Sequence, residues 1–201
     1  MKLYSSPYTC ALAPQIALEE AGLAYTLEKV NLRSKLTETG VDYTTVNPKG
    51  YVPALELSPG VVLTEVPALL QWIADAAPAA GLAPANGTFE RARLHEWLGF
   101  IGSELHKAFS PLFNPATAEA DKPAIHQRII GRATYINGVL ADRPYLMGDQ
   151  FTVADAYLFV VLSWAGMVKL DLGALTDLAA WGARVAERPA VQRVMAPPPR
   201  A

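Results

Sequence analysis

The chain has 201 residues, a formal net charge of −2, 51% hydrophobic and 18% charged residues; that is room for one large or two modest domains with a substantial core, and it argues against disorder. No Lys/Arg cluster marks a nucleic-acid partner, no apolar run approaches the roughly 20 residues of a membrane helix, and residues 1–7 lack a secretory apolar region, so a cytoplasmic protein without nucleic-acid or membrane partners is expected. Cys10 is the single cysteine, which excludes an internal disulfide and a Cys-based metal cluster.

Residues 2–5 predict a first strand, closed by Ser6 and Pro7. Cys10 follows, and residues 12–22 read as a helix: Pro14 suits its first turn, Leu12 and Ile16 share a face, and Gly22 suits the C-terminal cap. Residues 25–32, rich in β-formers, predict a second strand. A polar segment with Arg33, Lys35 and Thr37 comes next. Asn47, Pro48 and Gly50 supply turn chemistry ahead of Val52 and Pro53. Two apolar runs, 54–57 and 61–63, then flank a Ser58-Pro59-Gly60 turn and predict a hairpin.

Pro53 stands at a strand entry, where a sheet tolerates its missing N–H. A trans Val52–Pro53 bond makes this an ordinary entry. A cis bond would turn the Val52 N–H and C=O outward, open to a peptide-like ligand that adds as a further strand. Cis accounts for only about 5–6% of X–Pro bonds, so the residues alone favour trans. Beyond Thr64 and Glu65, the residues Val66, Leu69, Leu70 and Ile73 recur at helical spacing up to Ala76. The order β-α-β, β-β-α describes a small α/β domain.

Composition changes to linker chemistry at residues 78–87, which divides the chain into units 1–78 and 88–201. No strand pattern follows. Leu94, Trp97, Leu98, Ile101 and Leu105 mark a long amphipathic helix reaching Phe109, where Ser110 and Pro111 should kink or end it. Ile125, Ile129, Ile136 and Leu140 mark the next. Thr152 and Asp155 have capping-box spacing at the start of a helix that carries Tyr157, Val160, Val161 and Trp164. Apolar on most sides, that helix should be the buried centre of the second domain. Residues 175–187 predict another helix before Pro189, and residues 197–201 a frayed tail.

Cys10 lies between a strand end and a helix start, where unpaired N–H groups and the helix dipole favour a thiolate; a protonated His106 nearby would lower its pKa further. The alternative is a small buried hydrophobe. Residues 10–13 hold no second cysteine, so redox work at Cys10 would need an external thiol. Glu65 is a first-turn carboxylate that either complements the helix dipole or receives a ligand ammonium. Ser103, His106 and Lys107 share one helix face, a pattern that also suits a solvated surface. His95 and His126 read as surface or satisfied core residues, and Trp164 alone would be core.

Together these residues resemble the glutathione S-transferases over nearly the whole chain, and within them the bacterial beta class. The resemblance rests on Met1 to Tyr4 with Cys10, on Asn47-Pro48-Lys49-Gly50-Tyr51-Val52-Pro53-Ala54-Leu55, and on Leu63-Thr64-Glu65. It continues through Glu96-Trp97-Leu98, residues 104–113 and residues 151–157. It implies a thioredoxin-like α/β N-terminal domain with a cis Pro53, an all-α C-terminal domain and a homodimer. Val52 is then expected to hold the cysteinyl backbone of glutathione, Glu65 its γ-glutamyl ammonium, and Lys35 its glycyl carboxylate.

Cys10 and His106 match the residues nearest the glutathione sulfur, and Trp164 and Lys107 line the same site. Ser103 and Glu104 belong to it where it meets the dimer interface. Pro53, Thr152 and Asp155 are structural. Three positions depart from the family: Ala11 where Ser is usual, Val66 (followed by Pro67) where Ser or Gly is usual, and Gly99 where Asn is usual. Val66 keeps a backbone N–H for the γ-glutamyl carboxylate but lacks the hydroxyl.

The expected activity is transfer of glutathione, a co-substrate, to small hydrophobic electrophiles without a metal. The loop after Cys10 and residues 109–113 would supply the apolar contacts. Alternatives are thiol–disulfide exchange through a Cys10 mixed disulfide, or a non-enzymatic binding protein on the same fold.

Overall fold

The computed structural model describes residues 1–196; the frayed tail expected at 197–201 lies outside the described residues. The N-terminal half runs β1 (Lys2–Ser5), α1 (Leu12–Glu20), β2 (Thr26–Asn31), β3 (Leu36–Thr37), a 3-10 turn (Tyr43–Thr45), β4 (Ala54–Ser58), β5 (Val61–Thr64) and α2 (Val66–Ala76). Its strands form one sheet in the order β3-β2-β1-β4-β5. β1 and β2 are parallel, and the other neighbours are antiparallel. A parallel pair needs a crossover, which α1 provides.

Side chains alternate across the sheet, so adjacent residues serve different cores. Leu3 and Leu55 lie opposite one another and pack with Ile16, Leu18, Leu69 and Ile73 of the two helices. Tyr4 and Ala54 point the other way, into a smaller cluster with Ala11, Val30, Tyr43 and Val52. Helix α1 ends as expected. Gly22 takes φ 64, and the N–H groups of Gly22 and Leu23 return to the carbonyls of Glu19 and Leu18, a Schellman closure.

The C-terminal half is helical. α3 (Phe89–Phe100) continues without a break through a π-helical turn (Ile101–His106) into the short α4 (Lys107–Phe109) and a 3-10 turn (Ser110–Phe113). α5 (Lys122–Leu140), α6 (Val153–Met167), α7 (Thr176–Ala186) and α8 (Pro189–Met195) follow. Helix α6 is the buried centre, and both halves of the Thr152/Asp155 capping box are formed. Asp155, fully buried, also accepts from Leu146 N at 2.9 Å and Trp181 Nε1 at 3.0 Å. That carboxylate therefore ties the loop before α6 to α7. Among the described residues no helix is long and apolar enough to cross a membrane.

Three elements escape the sequence reading. β3 has two residues and forms only because β2 offers an edge. The π turn inserts an extra residue into a helix whose apolar spacing looks regular. Helix α8 begins at Pro189, which reads as a stop signal yet occupies the first helical position, where a missing N–H is harmless.

The two halves are fastened at several points. Arg91 is buried; its Nη2 donates to both Asp75 oxygens at 2.8 and 2.7 Å and its Nη1 to Pro84 O at 2.8 Å. Arg188 grips Glu20 with two bonds of 2.7 Å. Trp164 Nε1 donates to Tyr8 O at 3.0 Å.

Candidate active site

A cavity of about 490 Å³ opens at the seam between the halves. The N-terminal half contributes Cys10, Tyr51, Val52, Pro53, Glu65, Val66 and Pro67. The helical wall is Leu98, Gly99, Gly102, Ser103, His106, Lys107 and Tyr157.

The Val52–Pro53 bond is cis, not the trans form that the residues alone favour. The loop ahead of it is held from below. Tyr51 O accepts from Asn47 Nδ2 at 2.8 Å and from Tyr43 Oη at 3.1 Å, and both donors belong to buried residues. Val52 O faces Cys10, whose Sγ donates to it at 3.7 Å. Among the described residues the Val52 N–H has no hydrogen-bond partner.

Glu65 precedes α2 with φ 73, a left-handed conformation that is costly for a side-chain-bearing residue and tends to persist at functional sites. Its Oε1 accepts from Lys49 Nζ at 2.5 Å and Tyr51 Oη at 3.2 Å. Lys49, through that hydrogen bond and its charge, holds the Glu65 carboxyl below the usual range. Behind it, Ala68 and Leu69 spend their N–H groups on Glu65 O, and Pro67 has none. The Val66 N–H is thus the free donor at the front of α2.

On the helical wall the π turn brings Ser103 and His106 to the cavity, and Lys107 joins them from the start of α4. Ser103 Oγ donates to Gly99 O at 2.9 Å. His106 Nδ1 lies 2.7 Å from Tyr157 Oη. Burial, reinforced by the neighbouring Lys107 charge, lowers the His106 pKa to about 4, so the ring is neutral at pH 7. Burial likewise pushes the Tyr157 phenol far above its usual value.

The expectation of an acidic Cys10 thiol is corrected. Burial pushes it up to about 11, and the pull of its own N–H and of Lys107 does not compensate. The physical reason lies in the helix start. Leu12 and Ala13 give their N–H groups to Thr9 O and Cys10 O, so those donors are spent on the turn. His106, being neutral, adds no positive charge.

Three residues carried over from the resemblance stand outside the cavity lining. Lys35 Nζ donates to Gly50 O at 2.6 Å. Glu104 turns away to Arg132 Nη2 at 2.8 Å. Trp164 is buried and stands behind His106, ring centroids 4.9 Å apart. Phe109, expected to offer apolar contact, is fully buried, while Phe113 is exposed; both meet Trp164 edge-on.

Sequence reasoning missed Lys49, Tyr51 and Tyr157. The first two flank Gly50 in the turn that was recognised. Tyr157 lies seven residues before Trp164, two turns along the same face, but the uniformly apolar helix hides a functional hydroxyl.

A thioredoxin-like sheet whose cis-proline loop and thiol face an all-helical wall defines a two-domain protein with a site for a peptide-like ligand. Family models described as the glutathione S-transferase N-terminal and C-terminal domains match residues 7–76 and 100–189. The chain belongs to the glutathione S-transferase family.

A glutathione S-transferase of Escherichia coli O157:H7, GstA, is 46% identical over 192 residues, 96% of each chain. A bacterial beta-class enzyme from Sphingomonas chungbukensis superposes with TM-score 0.93 at 47% identity, over 97% of each chain. A sphingomonad glutathione S-transferase solved with glutathione gives TM-score 0.94 at 47% identity, again over 97% of each chain.

Proposed function

We propose that this protein transfers glutathione to small hydrophobic electrophiles. The observation that carries the reading is the free, buried Val52 amide facing a cavity that also holds Cys10 and His106. Glutathione adds its cysteinyl backbone to Val52 as a further strand would. Its γ-glutamyl ammonium meets Glu65, in exchange for Lys49, and its γ-glutamyl carboxylate meets the Val66 N–H at the helix start. The missing hydroxyl at Val66 removes one bond to a charged group, worth about 1.5–3 kcal/mol.

The glutathione thiolate then attacks the electrophile. The new S–C bond forms as the leaving group departs with its electron pair, and the enzyme's share is positioning and thiolate stabilisation. Residues 1–78 hold glutathione and residues 88–201 line the electrophile side. Lys35, Glu104 and Trp164 act around this site rather than in its wall.

A homodimer is supported by the Trp97–Phe100–Tyr135 ring cluster between α3 and α5, where Tyr135 is exposed. The N-terminal domain of a second copy is its expected cover, and a cytoplasmic location suits the lone thiol. Calorimetric titration with glutathione, followed by assays with an aromatic halide and with a glutathionylated peptide, tests the reading. Binding with turnover of the halide supports it. Turnover of the peptide alone would favour exchange through Cys10, and no binding at millimolar glutathione would favour a non-enzymatic binding protein.

A further inference from the structure

We propose that Tyr157 is a positioning residue: its hydroxyl fixes His106 as the Nε2–H tautomer and so makes the imidazole a hydrogen-bond donor to the glutathione sulfur. The inference rests on the glutathione reading for its consequence, but not for its geometry.

Tyr157 is 2% exposed on a helix whose buried residues, apart from the capping Asp155, are otherwise hydrophobic. Its Oη reaches the cavity wall beside Gly102 of the π turn, where an added Cβ would make ordinary van der Waals contact with it at 3.6 Å. The two rings meet edge to face, centroids 5.9 Å apart at 86°. A buried hydroxyl proton needs an acceptor, and among the described residues His106 Nδ1, at 2.7 Å, is the one within reach. Nδ1 is therefore the unprotonated nitrogen, and the proton of the neutral ring sits on Nε2.

That assignment decides what His106 can do. Its Nε2 has no protein partner and is not sealed from solvent, and the ring lines the same cavity as Cys10. An Nε2–H donates to a thiolate, whereas a bare Nε2 lone pair would repel one. The charged or titratable groups facing this pair are Cys10 from the N-terminal loop, Glu65 at the start of α2, and the adjacent Lys107. Of these, only Lys107 is a fixed cation. Losing the Tyr157 hydroxyl would free the imidazole to populate both tautomers, and the thiolate would lose part of its donor.

The direct test is long-range ¹H–¹⁵N NMR of the full chain with labelled histidine at pH 7, without glutathione. A His106 ring protonated on Nε2 and bare on Nδ1 is expected; a proton on Nδ1 would overturn the proposal, whatever the fate of the glutathione reading. The functional test is Tyr157→Phe, with glutathione affinity measured separately. The dissociation constant should change less than about twofold, while kcat near neutral pH falls about tenfold, the weight of one hydrogen bond. Because the glutathione thiolate then has a weaker donor, its pKa rises and the kcat/KM profile should shift to higher pH. An unshifted profile in a folded, glutathione-binding variant would defeat the positioning role. Failure of the native protein to bind glutathione would instead defeat the functional reading and leave the tautomer result standing.

Discussion

Two side chains beside the cavity have ionisation set by burial rather than by charge. Cys10 is held protonated with a pKa of about 11, so its alkylation by a neutral reagent should reach half-maximum near that pH and be slow at pH 7. Cys10→Ala should spare conjugation, because glutathione supplies the nucleophile, and should remove any mixed disulfide. A midpoint below the ordinary cysteine value of about 8.5 would refute the buried thiol.

His106 gives a stability signature of the opposite form. Its pKa is about 4 when folded and about 6.5 when unfolded. Above pH 6.5 the ring is neutral in both states, and its contribution is fully present. As pH falls from about 6.5 to 4 the unfolded chain takes up the proton first, so stability is lost, up to about 3 kcal/mol. His106→Gln should lack that part of the slope. Urea unfolding at pH 7, 5.5 and 4 would show it, and parallel curves for the two proteins would contradict the neutral buried ring.

At the scale of elements, local chemistry decided what could be read. The hairpin, the Gly22 cap and the Thr152/Asp155 box are written in adjacent residues, and each forms. Cys10 and Glu65 are legible because a strand end and a turn fix their backbone, whereas the cis geometry at Val52 is legible only through the family resemblance. Tyr157 and Lys49 are not, since their roles depend on how a helix or turn is rotated against another element. The π turn is likewise invisible to local pattern, since the apolar spacing of residues 94–105 reads as one regular helix.

Just before it lies Gly99, with open space around a would-be Cβ and helical neighbours on both sides. Gly99→Ala should therefore stabilise the protein by about 0.5–1 kcal/mol through helix propensity. A denaturation midpoint that falls instead would mean the turn needs glycine freedom at its entry.

At the scale of the whole molecule, one core spans both halves, and a single cooperative unfolding transition is expected. The larger core runs without interruption from Leu3, Ile16 and Leu70 of the N-terminal half to Leu98, Ile101, Val160 and Val161 of the helical half. A shared core of this kind cannot be half exposed without stranding apolar surface worth roughly 25 cal/mol per Å². Arg91 adds a polar rivet across the same seam. Its side chain is 4% exposed but that of Asp75 is 42% exposed, so removing the arginine leaves a carboxylate that water can still reach. The loss is then mainly the bonds to Pro84 O and His95 Nε2 and the packing of the guanidinium. Arg91→Met, which keeps much of that packing, should cost about 2 kcal/mol. Tryptophan fluorescence and far-UV circular dichroism should give one coincident urea transition for the native protein, and the variant should shift that transition without splitting it. Two separated transitions in the native protein would show that the halves unfold independently. A split confined to the variant would instead mean that the Arg91 rivet, and not the continuous core, couples them.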